Sequence, residues 1–162
     1  MGLTLKSRAL QLLAQREHSP LELRRKLLDF ARRQSALSAE PGPAARELPP
    51  EVEADVDALL GWLQAHQYLN ETRFIESRLR TRAARHGNLR IRQELAQHGL
   101  RLAPQEEQAL KESELARAKA VWARKFGAAA ADAAGRARQA RFLAGRGFSA
   151  EVIHRLLRDD TD

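Results

Sequence analysis

Slid along itself by 130 positions, this chain meets its own pattern without a gap. Arg8, Leu13, Ala14, Arg16, Ser19, Arg25, Leu27 and Asp29 fall on Arg138, Leu143, Ala144, Arg146, Ser149, Arg155, Leu157 and Asp159. The shared frame is an apolar helix, a tight turn bearing an arginine, a Ser cap, and a second helix with core positions four apart: Leu23 and Leu27, then Ile153 and Leu157. At an offset of 68, Gly87, Ile91, Arg92 and Leu95 match Ser19, Leu23, Arg24 and Leu27, so the second helix occurs a third time. A chain of 162 residues built this way has little freedom of architecture. It reads as all-α, an elongated array of three related helix-turn-helix-like units, the middle and last preceded by extra long helices, because stacked units contact mainly their neighbours.

Local signals agree. Ala, Leu, Arg, Glu and Gln dominate, and the alternating Val/Ile/Thr runs of strands are missing. A first helix places Leu5, Ala9, Leu12 and Leu13 on one face. SPLE at 19–22 then opens a second, with Ser19 as cap, Pro20 in the first turn and Glu22 completing a capping box. After Pro50, Val52, Val56, Leu59, Leu60 and Leu63 form a stripe whose first turn is acidic, and Gly61 within it points to close packing. Asn70 caps a helix over 71–85 with Ile75, Leu79 and Ala83 inward. In RHGNLRIRQELAQHGL (85–100), Asn88 caps a helix, Gly99 ends it, and Leu89, Ile91, Leu95 and Leu100 are its apolar skeleton. Pro104 starts a long helix to Phe126, and a final pair runs over 133–145 and 149–158. The expected division is a partial first repeat at 1–33, a Pro/Gly-rich linker at 34–50, repeats at 51–100 and 101–158, and an acidic tail at 159–162. Leu23, Leu27, Ile91, Leu95, Ile153 and Leu157 are expected in the core.

Charge is the functional clue. The net charge is +7, with 23 Arg against 5 Lys, and it is uneven: residues 51–69 hold four acids and no Lys or Arg, residues 70–101 eight Arg and three Glu. Arginine forks suit phosphates and carboxylates, so the pattern points to a basic face and an anionic partner. The bland alternative is a solvated helical surface. Without cysteine, disulfides and thiolate metal sites are excluded. The N-terminus shows helical spacing and no signal peptide, and no run reaches a membrane span, so a cytoplasmic protein is expected. Five scattered histidines offer no HExxH; Glu94 and His98, four apart, read as a surface contact, and no nucleotide or hydrolase motif occurs. Neither cofactor nor metal nor enzymatic turnover is expected, and the chain is expected to be monomeric. The eight aromatics fall mostly on apolar stripes, which suggests core packing over base stacking.

Three stretches carry a family resemblance: ALQLLAQREHSPLELRRKL (9–27), DALLGWLQAHQYLNETRFIESRLRTRAARHGNLRIRQELAQHGL (57–100) and RQARFLAGRGFSAEVIHRLL (138–157). In combination, R-x-x-S-x-x-E-L at 16–23, YLN-x-x-RF at 68–74, G-x-x-R-I-R-x-E-L at 87–95 and R-F-L-x-x-R-G-F at 141–148 resemble the RecX regulatory proteins, bacterial modulators of the RecA recombinase. Family members often carry Asp-Asp where this chain has Asn70-Glu71, a departure that keeps a capping residue. The resemblance implies three tandem three-helix units and no enzymatic activity. It further implies binding to RecA and in the groove of the RecA–ssDNA filament, with suppression of ATPase, strand-exchange and coprotease activities. Charge placement, rather than the resemblance, nominates the contact residues: Arg24, Arg25, Lys26, Arg78, Arg82, Arg85, Arg90, Arg92, Arg141 and Arg146. Two other readings use the same face: a stand-alone helix-turn-helix protein holding ssDNA or dsDNA by its phosphates, and a structural adaptor whose charges are merely solvated.

Overall fold

The computed structural model describes residues 4–38 and 48–159. Among them it holds eight helices and no strand: α1 (Leu5–Gln15), α2 (Pro20–Ser38), α3 (Pro50–Ala65), α4 (Glu71–Arg82), α5 (Asn88–Gln97), α6 (Pro104–Phe126), α7 (Ala133–Gly145) and α8 (Ala150–Asp159). They form two compact units, residues 1–74 and 75–162, with the cut inside α4. No helix among the described residues is long and apolar enough to cross a membrane.

In the first unit α2 packs on both α1 and α3. The core joins Ala9 and Leu12 from α1, Leu23, Leu27 and Leu28 from α2, and Val56, Leu60 and Leu63 from α3, with Leu69 beyond it. The expected caps Ser19 and Asn70 form, and Thr4, not among those expected, caps α1. Thr4 Oγ1 accepts from the Ser7 amide at 3.1 Å, Ser19 Oγ from the Glu22 amide at 3.1 Å, and Asn70 Oδ1 from the Arg73 amide at 3.0 Å. Helix α2 runs five residues past the expected boundary, to Ser38, because residues 31–38 contain neither Gly nor Pro. Of the expected linker, residues 39–47 lie outside the described residues, as do residues 160–162 of the acidic tail; Asp159 belongs to α8. Gly61 corrects a different expectation: it is exposed, and a Cβ there would meet nothing within 4 Å.

The α1–α2 turn is closed by buried charge. Glu22 is 7% exposed; its carboxylate takes both Arg16 guanidinium nitrogens, one at 3.1 Å, and Lys26 Nζ at 3.5 Å. Beneath it His18, 1% exposed, lies 2.9 Å from the Arg16 carbonyl through Nδ1 and 3.2 Å from Lys26 Nζ through Nε2. An ammonium can only donate, so Nε2 accepts and the ring carries its proton on Nδ1. Burial works to raise the Glu22 carboxyl. The hydrogen bond from Arg16 and the charges of Arg16, His18 and Lys26 outweigh it and hold the group at about 2. Burial also pushes His18 below its ordinary value.

In the second unit α6 packs against α5, α7 and α8, and α7 against α8. The core holds Ala118, Val121 and Trp122 of α6, Leu143 of α7, Phe148, and Ile153 and Leu156 of α8. Two turns meet here without side chains between them. The amides of Gly87 and Leu89 donate to the carbonyls of Arg146 and Gly147 at 2.9 and 3.0 Å. A Cβ on Gly87 would lie 2.3 Å from Gly147 and Phe148 backbone atoms. One carboxylate completes the junction: Glu114, 4% exposed, accepts through Oε1 from the amides of Asn88 (3.0 Å) and Ser149 (3.2 Å), and through Oε2 from the Ser149 hydroxyl (3.1 Å). It thereby sits at the N-terminal ends of α5 and α8, where the helix dipole favours an anion. Arg117, one turn on, donates to the carbonyls of Ala83 (3.2 Å), His86 (2.7 Å) and Leu110 (3.0 Å) and to Asn88 Oδ1.

Three expectations change as a result. Asn88 is not the cap of α5: Gly87 holds that position, and the Asn88 side chain is turned to Arg117. Leu89 is 48% exposed, because fixing its amide on Gly147 points the side chain outward. On α8 the core positions are Ile153 and Leu156, spaced three apart, and Leu157 is only partly buried.

These contacts predict three outcomes. Gly87→Ala should destabilise the protein by about 3 kcal/mol in chemical denaturation, since main chain must move to admit the methyl. Gly61→Ala should stabilise it by about 1 kcal/mol, the helix-propensity difference at an unobstructed site. Because the Glu22 carboxyl is held below its ordinary 4.5, its contribution is complete above that pH and drains away as pH falls toward about 2. His18, depressed from 6.5, adds a loss of the same sign as pH falls below that value. Glu22→Gln should therefore lose about 2 kcal/mol at neutral pH and flatten stability measured between pH 5 and pH 2.

Candidate functional site

The excess positive charge lies wholly in the second unit. Residues 1–74 carry ten Lys and Arg against ten Asp and Glu, whereas residues 75–162 carry eighteen against eleven, the whole of the chain's +7. The positive field of the chain therefore originates in that half. The four acids of 51–69 account for much of the difference, since Glu51 and Glu53 occupy the first turn of α3 and Asp57 faces Arg24.

The nine arginines and one lysine nominated by charge placement fall into different environments. Arg24 is spent within the fold: Nε meets Asp57 Oδ1 at 2.6 Å, Nη2 meets Asp57 Oδ2 at 3.1 Å and Glu53 at 3.4 Å, and the Asp57 carboxyl is held below its ordinary range by this hydrogen bond. Lys26 belongs to the Glu22 and His18 cluster. Arg92 closes on Glu107 with Nε 3.0 Å from both oxygens and Nη2 at 2.5 Å, which pushes the guanidinium still higher. Arg78, Arg82 and Arg90 line one hollow of about 310 Å3 together with Glu94, whose carboxylate lies 2.9 Å from Arg82 and 3.8 Å from Arg90. Glu94 thus answers arginines; among the described residues no group of three or more His, Asp or Glu could hold an ion. Arg25 and Arg141 are exposed and have no ion pair among the described residues.

Arg85 and Arg146 come together. With Val121, Arg124, Lys125 and Phe142 they line a hollow of about 320 Å3 in which no described carboxylate takes part. Arg146 lies over the Phe142 ring, 5.2 Å from its centroid, and Phe142 meets Phe126 edge-on at 5.3 Å. Arg124 donates from Nη2 to the Ala84 carbonyl at 2.8 Å and from Nε to Ala120 at 3.3 Å, which fixes its guanidinium against the wall. Burial, then the charge of Arg82, lowers His86 nearby, and Arg146 adds to the effect. Sequence reasoning missed Arg124 and Lys125. Their only local signal is that they are the cations of the last turn of α6, a place where Lys and Arg ordinarily answer the helix dipole.

The aromatics divide too. Phe74, Trp122 and Phe148 are buried, as apolar spacing implied, but Tyr68 is half exposed and stacks on Trp62 at 5.7 Å, with Lys6 Nζ 3.6 Å from the Trp62 ring.

Comparison with known proteins places these features in a family. Residues 70–101 match the model of the RecX second three-helix domain and residues 112–157 that of the third. The chain is 44% identical over 158 residues to "Regulatory protein RecX" of Ralstonia nicotianae, covering 96% of this chain and 87% of the relative. It is 43% identical to the protein of that name from Herminiimonas arsenicoxydans, covering 98% and 93%, and 34% identical to that of Chromobacterium violaceum, covering 99% and 93%. An all-helical chain whose repeated units match two RecX domains, and whose whole length aligns with such relatives, belongs to the RecX family of regulatory proteins.

Proposed function

We propose that this chain is a stoichiometric regulator of RecA. It binds RecA and the RecA–ssDNA filament, lies in the filament groove, and restrains ATP hydrolysis, strand exchange and coprotease activity. The relatives are named regulatory proteins and not enzymes, which fits binding without turnover. The observation that carries the reading is the charge partition. The two segments that match RecX domains lie, but for residues 70–74, in the unit holding the entire net charge, and some cations of that unit have no acidic partner among the described residues. A filament of protein wound on a polyanion presents phosphates and carboxylates together, and arginine forks suit both. On this reading the protein works as a monomer in the cytoplasm, where the filament forms. Its contact residues are drawn from Arg25, Arg78, Arg82, Arg85, Arg90, Arg141 and Arg146, while Arg24, Lys26 and Arg92 serve the fold first. The repeats at 51–100 and 101–158 supply the body that carries this face, with 1–33 as a third, partial unit.

The test is RecA ATP hydrolysis on single-stranded DNA at about 0.1 M salt, where surface charges are screened beyond roughly 10 Å, titrated with this protein. Hydrolysis is expected to fall at protein concentrations well below that of RecA, while bare DNA remains largely unbound. A fall that begins only when the bare DNA is saturated would instead make it a stand-alone DNA-binding protein competing for the strand.

A further inference from the structure

We infer that the hollow between the ends of α4, α6 and α7 is a binding site for the phosphodiester backbone of a single DNA strand, with Arg85, Arg124, Lys125 and Arg146 holding the oxygens. The inference deepens the filament reading and rests on it for the choice of a nucleic-acid strand over other polyanions.

The repeat shows why charge is left over at this place. Arg146 is the counterpart of Arg16 at the offset of 130, and Arg16 is neutralised by Glu22. The counterpart of Glu22 is Val152. The last repeat thus has the turn arginine without the carboxylate, and the guanidinium lies over Phe142 at the rim of the hollow. Arg85, Arg124 and Lys125 likewise have no acidic partner among the described residues.

Helix ends alone do not account for four cations. Arg85 follows α4, Arg124 and Lys125 lie in the last turn of α6, and Arg146 caps α7, so three helix C-termini converge here. Each end carries about half a negative charge, so together they offset about one and a half of the four positive ones. The remainder faces open space of about 320 Å3, the small end of the range for ligand sites. Two of the four are held in place beforehand: Arg124 by the Ala84 and Ala120 carbonyls, Arg146 by the ring. Fixed donors lose less freedom on binding than solvated ones. A phosphodiester strand matches such a cluster better than a peptide carboxylate, because it brings an anion at every nucleotide without the cations of a protein surface. Nothing in the hollow presents an ordered row of base-reading amides, so recognition there is independent of sequence.

The test is fluorescence anisotropy of a labelled oligo-dT strand with the full chain, RecA absent, over a series of salt concentrations. Arg85→Gln/Lys125→Gln removes two contacts that support nothing in the fold; Arg124→Gln, checked by circular dichroism, probes a third. The double variant should bind more weakly and flatten the plot of log affinity against log salt by about 1.4, two single-strand phosphates' worth. The same loss should appear on a mixed-sequence strand. Unchanged affinity and slope would overturn the assignment, as would loss of affinity at constant slope. Each variant is also titrated into RecA ATP hydrolysis. Inhibition lost with DNA binding intact would give the hollow to protein carboxylates and overturn the inference while sparing the filament reading. A flattened slope in a protein that never inhibits RecA supports the hollow and sinks the filament reading alone.

Discussion

A single carboxylate organises the second unit. Glu114 receives two backbone amides and a hydroxyl from the starts of two different helices, α5 and α8. Left unmade, a buried amide costs about 1–3 kcal/mol, so one side chain removes several such penalties together. It also sets geometry: α5 and α8 must begin side by side for one acid to reach both. Arg117 does the converse for helix ends, gathering the carbonyls that follow α4 and the Leu110 carbonyl of its own helix. Acid to the N-termini and base to the C-termini is the helix dipole answered twice, one turn apart on α6.

Much of this fold can be read from residues in order. Helix starts at Ser19, Asn70, Pro104 and Ser149, and the core at Leu23, Leu27, Ile91, Leu95 and Ile153, follow from caps and apolar spacing, which are local properties. What could not be read is what depends on a partner distant in the chain. Asn88 has the chemistry of a cap, but Arg117 takes its side chain. Leu89 has the chemistry of a core residue, but a hydrogen bond to Gly147 turns it out. Gly61 looks like a packing glycine until the space around it is seen.

The candidate site was legible in sign and not in membership. Clustered arginine announces a basic face, but a charge count does not separate Arg92, locked to Glu107, from Arg141, which stands open. Arg124 and Lys125 escaped notice because cations at a helix end already have an ordinary purpose. Only in space do three such ends and their cations meet around one hollow. The two halves of the chain also differ in charge: the first unit balances its acids and bases, and the second holds the whole excess of cations.

The close approach of Gly87 to Gly147 has a consequence for how such a protein can diverge. The seam is main chain against main chain at its closest point, and the side chain that braces it, Glu114, comes from a third segment, α6. Hydrophobic neighbours can exchange volume among themselves over generations while the angle between the two turns stays constant. The two glycine positions have no such latitude. Side chains on the outer surface can therefore change, and with them the partner they suit, while the contact between the two turns stays fixed by its two glycines.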